Sequence, residues 1–452
     1  MKTADSAPPA VVVLTDLVVF CRHLDLIAEI ESRGLTPLFL FGPETPADRL
    51  ALHRGDPRHP LSRVAQAVHV DDCELDTLLA GVRTYLTDYR VRAVLNCGEV
   101  FVEPAGALAE ALGLPGPGAH AARVCRHKVL QRLAAPELAP RWAMLGRAGQ
   151  AAEVADEWQD FPAVLKPAGR MSSSGVRSVA DSAELRAELA QYPPDEMLLL
   201  EERVRGAEFS VETLVYEGEV LWSGITGKNT NEDGTRYFTE TGHTSPASGL
   251  SAAEEDRLLA ANASLLRSIG FRTGISHAEF RLSGEGVALM EVAARPPGDA
   301  ITKLWHLATG RPLEPALLDL ALGERPTVPA PRRRARQVYL EHPSGVLSDV
   351  TCAEDVPVSW VTTDGAWPRF APVEPDAPAR LVAVIVTREA GQQLGQWSDS
   401  GGRAVSVVVD GPLDEDLQGA AERLAKAVHI STGDRGDGDG DGTGGADGHV
   451  GA

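Results

Sequence analysis

Over the first 115 residues, short apolar runs alternate with amphipathic stretches. The runs at 11–17, 37–41 and 93–96 read as buried strands, and 22–33, 74–89 and 104–112 read as helices between them. This alternation predicts a parallel α/β sheet of the open, doubly wound kind. Gly113-Leu-Pro-Gly-Pro-Gly118 then has the Gly/Pro density of a boundary, and a helix is expected over 119–133.

From 161 to 323 the pattern becomes mixed α/β. Strands are expected at 163–166, 197–201, 208–216 and 220–226, with helices at 182–190 and 252–269. Strands at 275–282 and 287–292 form a hairpin around Ser283-Gly-Glu-Gly286. Beyond Pro326 lies a smaller α+β region with strands near 336–341 and 381–387 and a closing helix at 413–428. The expected division is 1–115, 116–325 with a lid portion at about 160–202, 326–430, and a Gly/Asp tail at 431–452 too polar to pack.

Composition narrows the function classes. A chain of 452 residues with 43% apolar and 24% charged positions is long enough for about three domains and a sizeable core. Its net charge of −21 argues against a nucleic-acid partner. The five cysteines form no C-x-x-C pair, which argues against a disulfide framework or a zinc ribbon. No apolar run approaches a membrane span and the N-terminus lacks a signal-peptide pattern, so a cytoplasmic protein without a membrane partner is expected. Of the 43 basic residues only six are lysine. A lysine retained in so Arg-rich a chain is a candidate for a place needing a compact ammonium, such as a nucleotide phosphate.

Four features of the middle region carry chemistry. Lys128 and Lys166 sit on separate elements and can grip an anion between them. Gly169-Arg-Met-Ser-Ser-Ser-Gly-Val176 lets backbone N–H groups approach a phosphate and can close as a lid. An apolar strand runs into Glu201-Glu202 and then Glu208, where an exposed backbone edge suits an adenine ring and a carboxylate suits ribose hydroxyls. Finally, His277-Ala-Glu-Phe280 and Met290-Glu-Val-Ala-Ala-Arg-Pro-Pro-Gly-Asp299 place Glu279 and Glu291 on the two strands of the hairpin. Unpaired carboxylates there would be costly, and a Mg²⁺ ion between them would offset the repulsion. Arg295 could then hold phosphate oxygens as a planar fork. The rival reading is a structural salt bridge between Arg295 and one glutamate.

The order Lys128, Lys166-Pro, Ser-rich loop, Glu201-Glu202, Glu208, Glu279, Glu291-x-x-x-Arg295 resembles the ATP-grasp superfamily. Glu240-Thr-Gly-His243 and the ending Glu-x-Ala-Ala-Arg look most like the L-amino-acid ligases, such as the bacilysin-pathway dipeptide ligases. The resemblance spans about 10 to 325 and implies a pre-ATP-grasp N-domain followed by an ATP-grasp fold. It also implies ATP with Mg²⁺ or Mn²⁺, and small amino-acid or peptide substrates. By it, Lys128 and Lys166 bind phosphates, with Lys228 joining by position, and Ser172, Ser173, Ser174 and Gly175 form the lid. Glu201 and the Val204 backbone bind adenine, Glu208 the ribose, and Glu279 and Glu291 the metal. Glu240 and His243 face the amino-acid site, Arg295 steadies an acyl phosphate, and Glu99 is a candidate for a substrate amino group. Where many relatives carry Asn two residues past the second metal glutamate, this chain has Ala293. The implied activity is amide formation between an amino acid and an amine or second amino acid, with release of ADP and phosphate. The alternatives are carboxylation, purine-type ligation, or ATP binding without turnover. A homodimer is the default for a soluble enzyme.

Two further motifs have bland readings. Arg332-Arg-Arg334 with Arg336 is expected to be a solvated linker, and Asp437-Gly-Asp-Gly-Asp-Gly442 imitates half an EF-hand loop but has Gly448 at the twelfth position.

Overall fold

The structure, a computed structural model, describes residues 7–433. The tail motif at 437–442 lies outside them. The fold is mixed α/β. Four parallel strands, β1 (Pro9–Thr15), β2 (Thr36–Phe41), β3 (Gln66–His69) and β4 (Arg90–Asn96), form an N-terminal sheet in the order β3-β2-β1-β4. Val11, Val13, Phe39 and Phe41 enter one core, and Val12, Leu14, Leu38 and Leu40 another. Both faces are thus buried under helices, which is why these strands read as continuous apolar runs.

The expected helix over 119–133 is two helices, Ala119–Arg126 and Lys128–Ala134, broken at His127 in extended backbone. The Lys128 N–H bonds the Ala168 carbonyl, so the break ties this lysine to the strand that ends in Lys166-Pro167. That strand belongs to a small antiparallel sheet of β5 (Trp142–Arg147), β6 (Ala163–Pro167), β7 (Arg177–Val179) and β8 (Met197–Glu202), ordered β5-β8-β6-β7.

The largest sheet takes in β9 (Ala207–Tyr216), β10 (Glu219–Thr230), β11 (Glu240–Ser245), β12 (Gly274–Ser283) and β13 (Gly286–Ala293). Four strands from the C-terminal part continue it: β14 (Arg333–Tyr339), β16 (Val358–Trp360), β17 (Arg380–Val386) and β19 (Val405–Pro412). The order is β13-β12-β9-β10-β11-β14-β19-β17-β16. Strand alternation decides what faces where. Ala278, Phe280 and Leu282 pack with Leu258, Leu265 and Leu266 of the helix Ala252–Ser268. His277, Glu279 and Arg281 are left on the opposite face, which borders a cleft. Gly206, between β8 and β9, is at φ +119, and a Cβ there would lie 2.2 Å from the Leu282 carbonyl oxygen. Only glycine allows this turn to press against β12.

The C-terminal part differs from expectation in two places. β15 (Gly345–Cys352) pairs with β18 (Gln393–Leu394) and with β20 (Val428–Gly433) in a three-stranded sheet. The expected closing helix at 413–428 is therefore the shorter Leu417–Leu424. Residues 431–433, expected in the tail, finish a strand whose Val428 and Ile430 lean on the C-terminal core. The basic run is not a linker either. Arg333, Arg334 and Arg336 lie on β14 between β11 and β19, and Arg333 is 1% exposed on buried Asp410 at 3.1 Å. Removing one partner of a buried ion pair leaves an uncompensated charge. Arg333→Ala should therefore cost about 3 kcal/mol, even with Arg380 still on Asp410. Urea unfolding reads this, and an unchanged midpoint would return Arg333 to a solvated role.

Candidate active site

The register of the β12–β13 hairpin sets Glu279 directly opposite Glu291. Two facing carboxylates need cations, and three neighbours supply them. Lys228 on β10 contacts Glu279 and lies 2.5 Å from Glu240 and 3.5 Å from Glu208. His277 spans Glu212 at 2.9 Å and Glu279 at 3.2 Å. Lys128 reaches Glu291 at 3.0 Å and the Arg170 carbonyl at 2.6 Å. Burial alone would raise the Glu279 carboxyl, but Lys228 and His277 hold it well below the carboxylate range. Burial would likewise lower His277, yet hydrogen bonds to Glu212 and Glu279 push it up to about 9, so it is an imidazolium at neutral pH. Lys228, 1% exposed at its side chain, lies beneath the three acids rather than along the cleft. Its expected place on the phosphates thus gives way to a support for Glu279, Glu240 and Glu208.

Further along the cleft, Lys166 is 2.6 Å from Glu201, which Arg132 also grips at 2.7 Å. Burial and the adjacent Arg132 bring Lys166 down to about 8 although Glu201 opposes this. Glu201 is lowered too: burial would raise it, but Arg132 and Lys166 both serve this one carboxylate and hold it low. The Glu201 carboxylate, which lines the cleft, is thus held by both Arg132 and Lys166. Val204 borders the cleft here as well, with Val164, Phe238 and Met290 offering apolar surface for a flat ring. Glu208 lines the same stretch, 2.9 Å from Arg281.

Ser172 and Ser173 line the cleft, both at positive φ, whereas Ser174 and Gly175 do not border it. The Ser400 N–H bonds the Ser172 carbonyl at 3.1 Å, and the Ser173 hydroxyl donates to the Phe238 carbonyl at 3.1 Å. The loop is thereby tied to the C-terminal part.

At the far end Arg295 pairs with Glu99, the carboxylate that follows β4. Burial lowers the guanidinium, but Glu99 raises it above its ordinary value. His243 Nε2 is 2.7 Å from Asp299, and Asp299 also accepts two bonds from Arg403 at 2.8 and 2.9 Å and one from the Tyr339 hydroxyl at 2.9 Å. Glu240, His243 and Asp299 offer ligand atoms within 4.8 Å of one another. The Arg403 guanidinium sits on Asp299 and Glu240, and Lys228 also holds Glu240, so both carboxylates of this trio already have cation partners. The cleft thus gathers Lys128, Lys166, Ser172, Ser173, Glu201, Val204, Glu208, Glu240, His243, Glu279, Glu291 and Arg295 on one surface.

Asp299, His277, Arg132 and Arg403 went unassigned in the sequence. Asp299 and His277 stand inside the two motifs that were singled out, and their polar character in apolar strands and turns was a usable signal. Arg403 comes from a C-terminal loop with no local motif.

Residues 159–303 match the ATP-grasp domain family. A D-alanine–D-alanine ligase of Stutzerimonas stutzeri is 30% identical over 214 residues, 46% of this chain and 64% of that protein. Dapdiamide A synthase of Enterobacter agglomerans is 28% identical over 298 residues, 62% of each chain. The chain thus spans less than two thirds of the length of these curated relatives. The crystal structure of an L-amino acid ligase from Bacillus licheniformis shares the fold at a TM-score of 0.72 and 19% identity, covering 94% of this chain and 99% of that one. Among the described residues no helix is long and apolar enough to cross a membrane.

The His277 value carries a stability consequence. Its folded value lies above the ordinary 6.5, so the imidazolium adds stability that is complete below about pH 6.5 and lost as pH rises through about 9. Urea unfolding should show the wild type losing roughly 1–3 kcal/mol over that span relative to His277→Gln, a difference in which the opposite contribution of Lys166 cancels. Equal pH dependence in both proteins would deny the charged ring.

Proposed function

The chain carries an ATP-grasp domain in the fold of the ATP-grasp ligases, and from that premise we propose that it joins the carboxylate of an amino acid to an amine or second amino acid in the cytoplasm, through an acyl phosphate. One observation carries the reading. A facing carboxylate pair, two lysines and an arginine line the same cleft as a Ser-rich loop and an apolar ring slot.

The residues fit the implied cofactors. Glu279 and Glu291 are hard oxygen donors that face each other, their side chains 21% and 28% exposed toward the cleft. They would hold Mg²⁺, which supplies charge neutralisation at nucleotide phosphates. Val204, Phe238 and Met290 would flank the base, and Glu208 the ribose. Lys128 and Lys166 would hold phosphate oxygens, and the Ser172–Ser173 backbone would cover them.

The chemistry then needs no protein nucleophile. A substrate carboxylate attacks the terminal phosphorus, so a carboxylate oxygen becomes the bridge of an acyl phosphate and ADP leaves. The amine attacks the acyl carbon, loses a proton, and phosphate departs. Arg295 offsets charge on the transferring phosphoryl group, and Lys128 and Lys166 fix its position. His243, oriented by Asp299, and Glu240 border the acyl group and its incoming amine.

The products test this reading. ADP and inorganic phosphate are expected, and ¹⁸O in the substrate carboxylate should appear in the released phosphate. Arg295→Lys should lower kcat/KM by roughly 10²-fold or more, because a point ammonium cannot grip two oxygens as the fork does. AMP, pyrophosphate or unlabelled phosphate would sink the acyl-phosphate route.

A further inference from the structure

Ten carboxylates line the cleft, and eight of them carry a Lys, Arg or His partner. Among the described residues the two without an ion pair are Asp16 and Glu44. Asp16 follows β1 and is 2% exposed, its carboxylate accepting from the Thr45 hydroxyl at 3.3 Å and from the Glu44 backbone N–H, both neutral donors. Glu44 follows β2. The order β3-β2-β1-β4 puts the topological switch between β1 and β4, where open α/β sheets take ligands at the carboxyl ends of their strands. Asp16 stands on one side of that crevice and Glu99 on the other.

Glu99 supplies an independent sign of a missing partner. The residue is 6% exposed, and while Oε2 binds Arg295, Oε1 is buried without a hydrogen-bond partner. A buried carboxylate oxygen in that state wants a donor, and the cleft is where one can arrive. Arg22 also lines this wall, but its guanidinium is turned to the Asp299 carbonyl at 3.5 Å and the Trp367 ring rather than to Asp16 or Glu44.

We propose that Asp16 and Glu44 bind a cationic group of one substrate, so that the enzyme takes a basic amino acid whose side chain ends in an ammonium or guanidinium. The inference rests on the amino-acid ligase reading and narrows it. An amino acid with its carboxylate at Arg295 would meet the free Glu99 oxygen with its α-ammonium and Asp16 and Glu44 with its side chain. Discrimination follows from desolvation, since a neutral side chain would cover buried Asp16 and half-exposed Glu44 without supplying a cation.

The empty pair also responds to pH. Burial pushes Asp16 up to about 6, and burial together with Asp16 pushes Glu44 up to about 7. His69 and Cys73 are the other titratable groups near the pair, and the Cys73 thiol, pushed up to about 12, stays neutral. A bound cation favours both ionised forms, so its affinity should fall as pH drops through 7 and 6.

The test measures ADP release by the full chain with ATP and Mg²⁺, comparing arginine with citrulline and lysine with norleucine, each against the same set of second amino acids. At pH 8 kcat/KM should favour the charged member by at least about tenfold. That ratio should shrink toward pH 5.5. Asp16→Asn and Glu44→Gln should each bring it toward one, and half-exposed Glu44 keeps the test open if Asp16→Asn does not fold. Turnover of neutral pairs with no charged preference, or a preference that survives both substitutions, would overturn the proposal alone. No ADP release with any pair would remove the ligase reading and this proposal with it.

Discussion

Two carboxylates face each other across a β-hairpin, and most of the cleft is arranged around that fact. Glu279 and Glu291 are fixed opposite one another by backbone register, so their repulsion cannot be relieved by moving either side chain far. The sheet answers with cations on neighbouring elements: Lys228 on β10, His277 two residues along β12, and Lys128 at the start of a helix that must break at His127 to present it. Burying so many charges is expensive, and hydrophobic replacements would often be as stable.

The same logic joins distant parts of the chain. Asp299 collects His243 from β11, Arg403 and Tyr339 from the C-terminal part, and all three lie on or beside the large sheet. Arg403 stacks 4.0 Å over the Tyr339 ring and also accepts the constraint of its own bond to the Ser400 carbonyl. Ser400 in turn holds the Ser172 carbonyl of the Ser-rich loop. The C-terminal strands extend the sheet and so bring a loop from about 400 against one from about 172. The site is consequently built from all regions of the described chain.

Much of this was legible in the sequence because strand periodicity and charge placement are local. The buried parallel strands, the hairpin, and the opposition of Glu279 to Glu291 follow from apolar alternation around a Gly turn. What escaped was long-range. Arg333 looked solvated because its neighbours are also arginines, and only the partner Asp410, far along the chain, makes it a core residue. The ion pair of Glu201 with Arg132 could not be read either, because nothing nearby in sequence announces Arg132. Arg403 carries no motif, and Asp16 and Glu44 gain meaning only from strand order.

The central claim is that the opposed glutamates form a divalent-cation site. Titration of the full chain with Mn²⁺ in the presence of ADP, reading free Mn²⁺ by its paramagnetic resonance signal, addresses it without any assumption about the substrates. Wild type should remove about one Mn²⁺ per chain from solution, and Glu279→Gln and Glu291→Gln should each weaken that uptake by roughly tenfold or more, since each removes a hard anionic ligand at nearly constant volume. Uptake unchanged in the double variant would place the metal elsewhere and contradict the account.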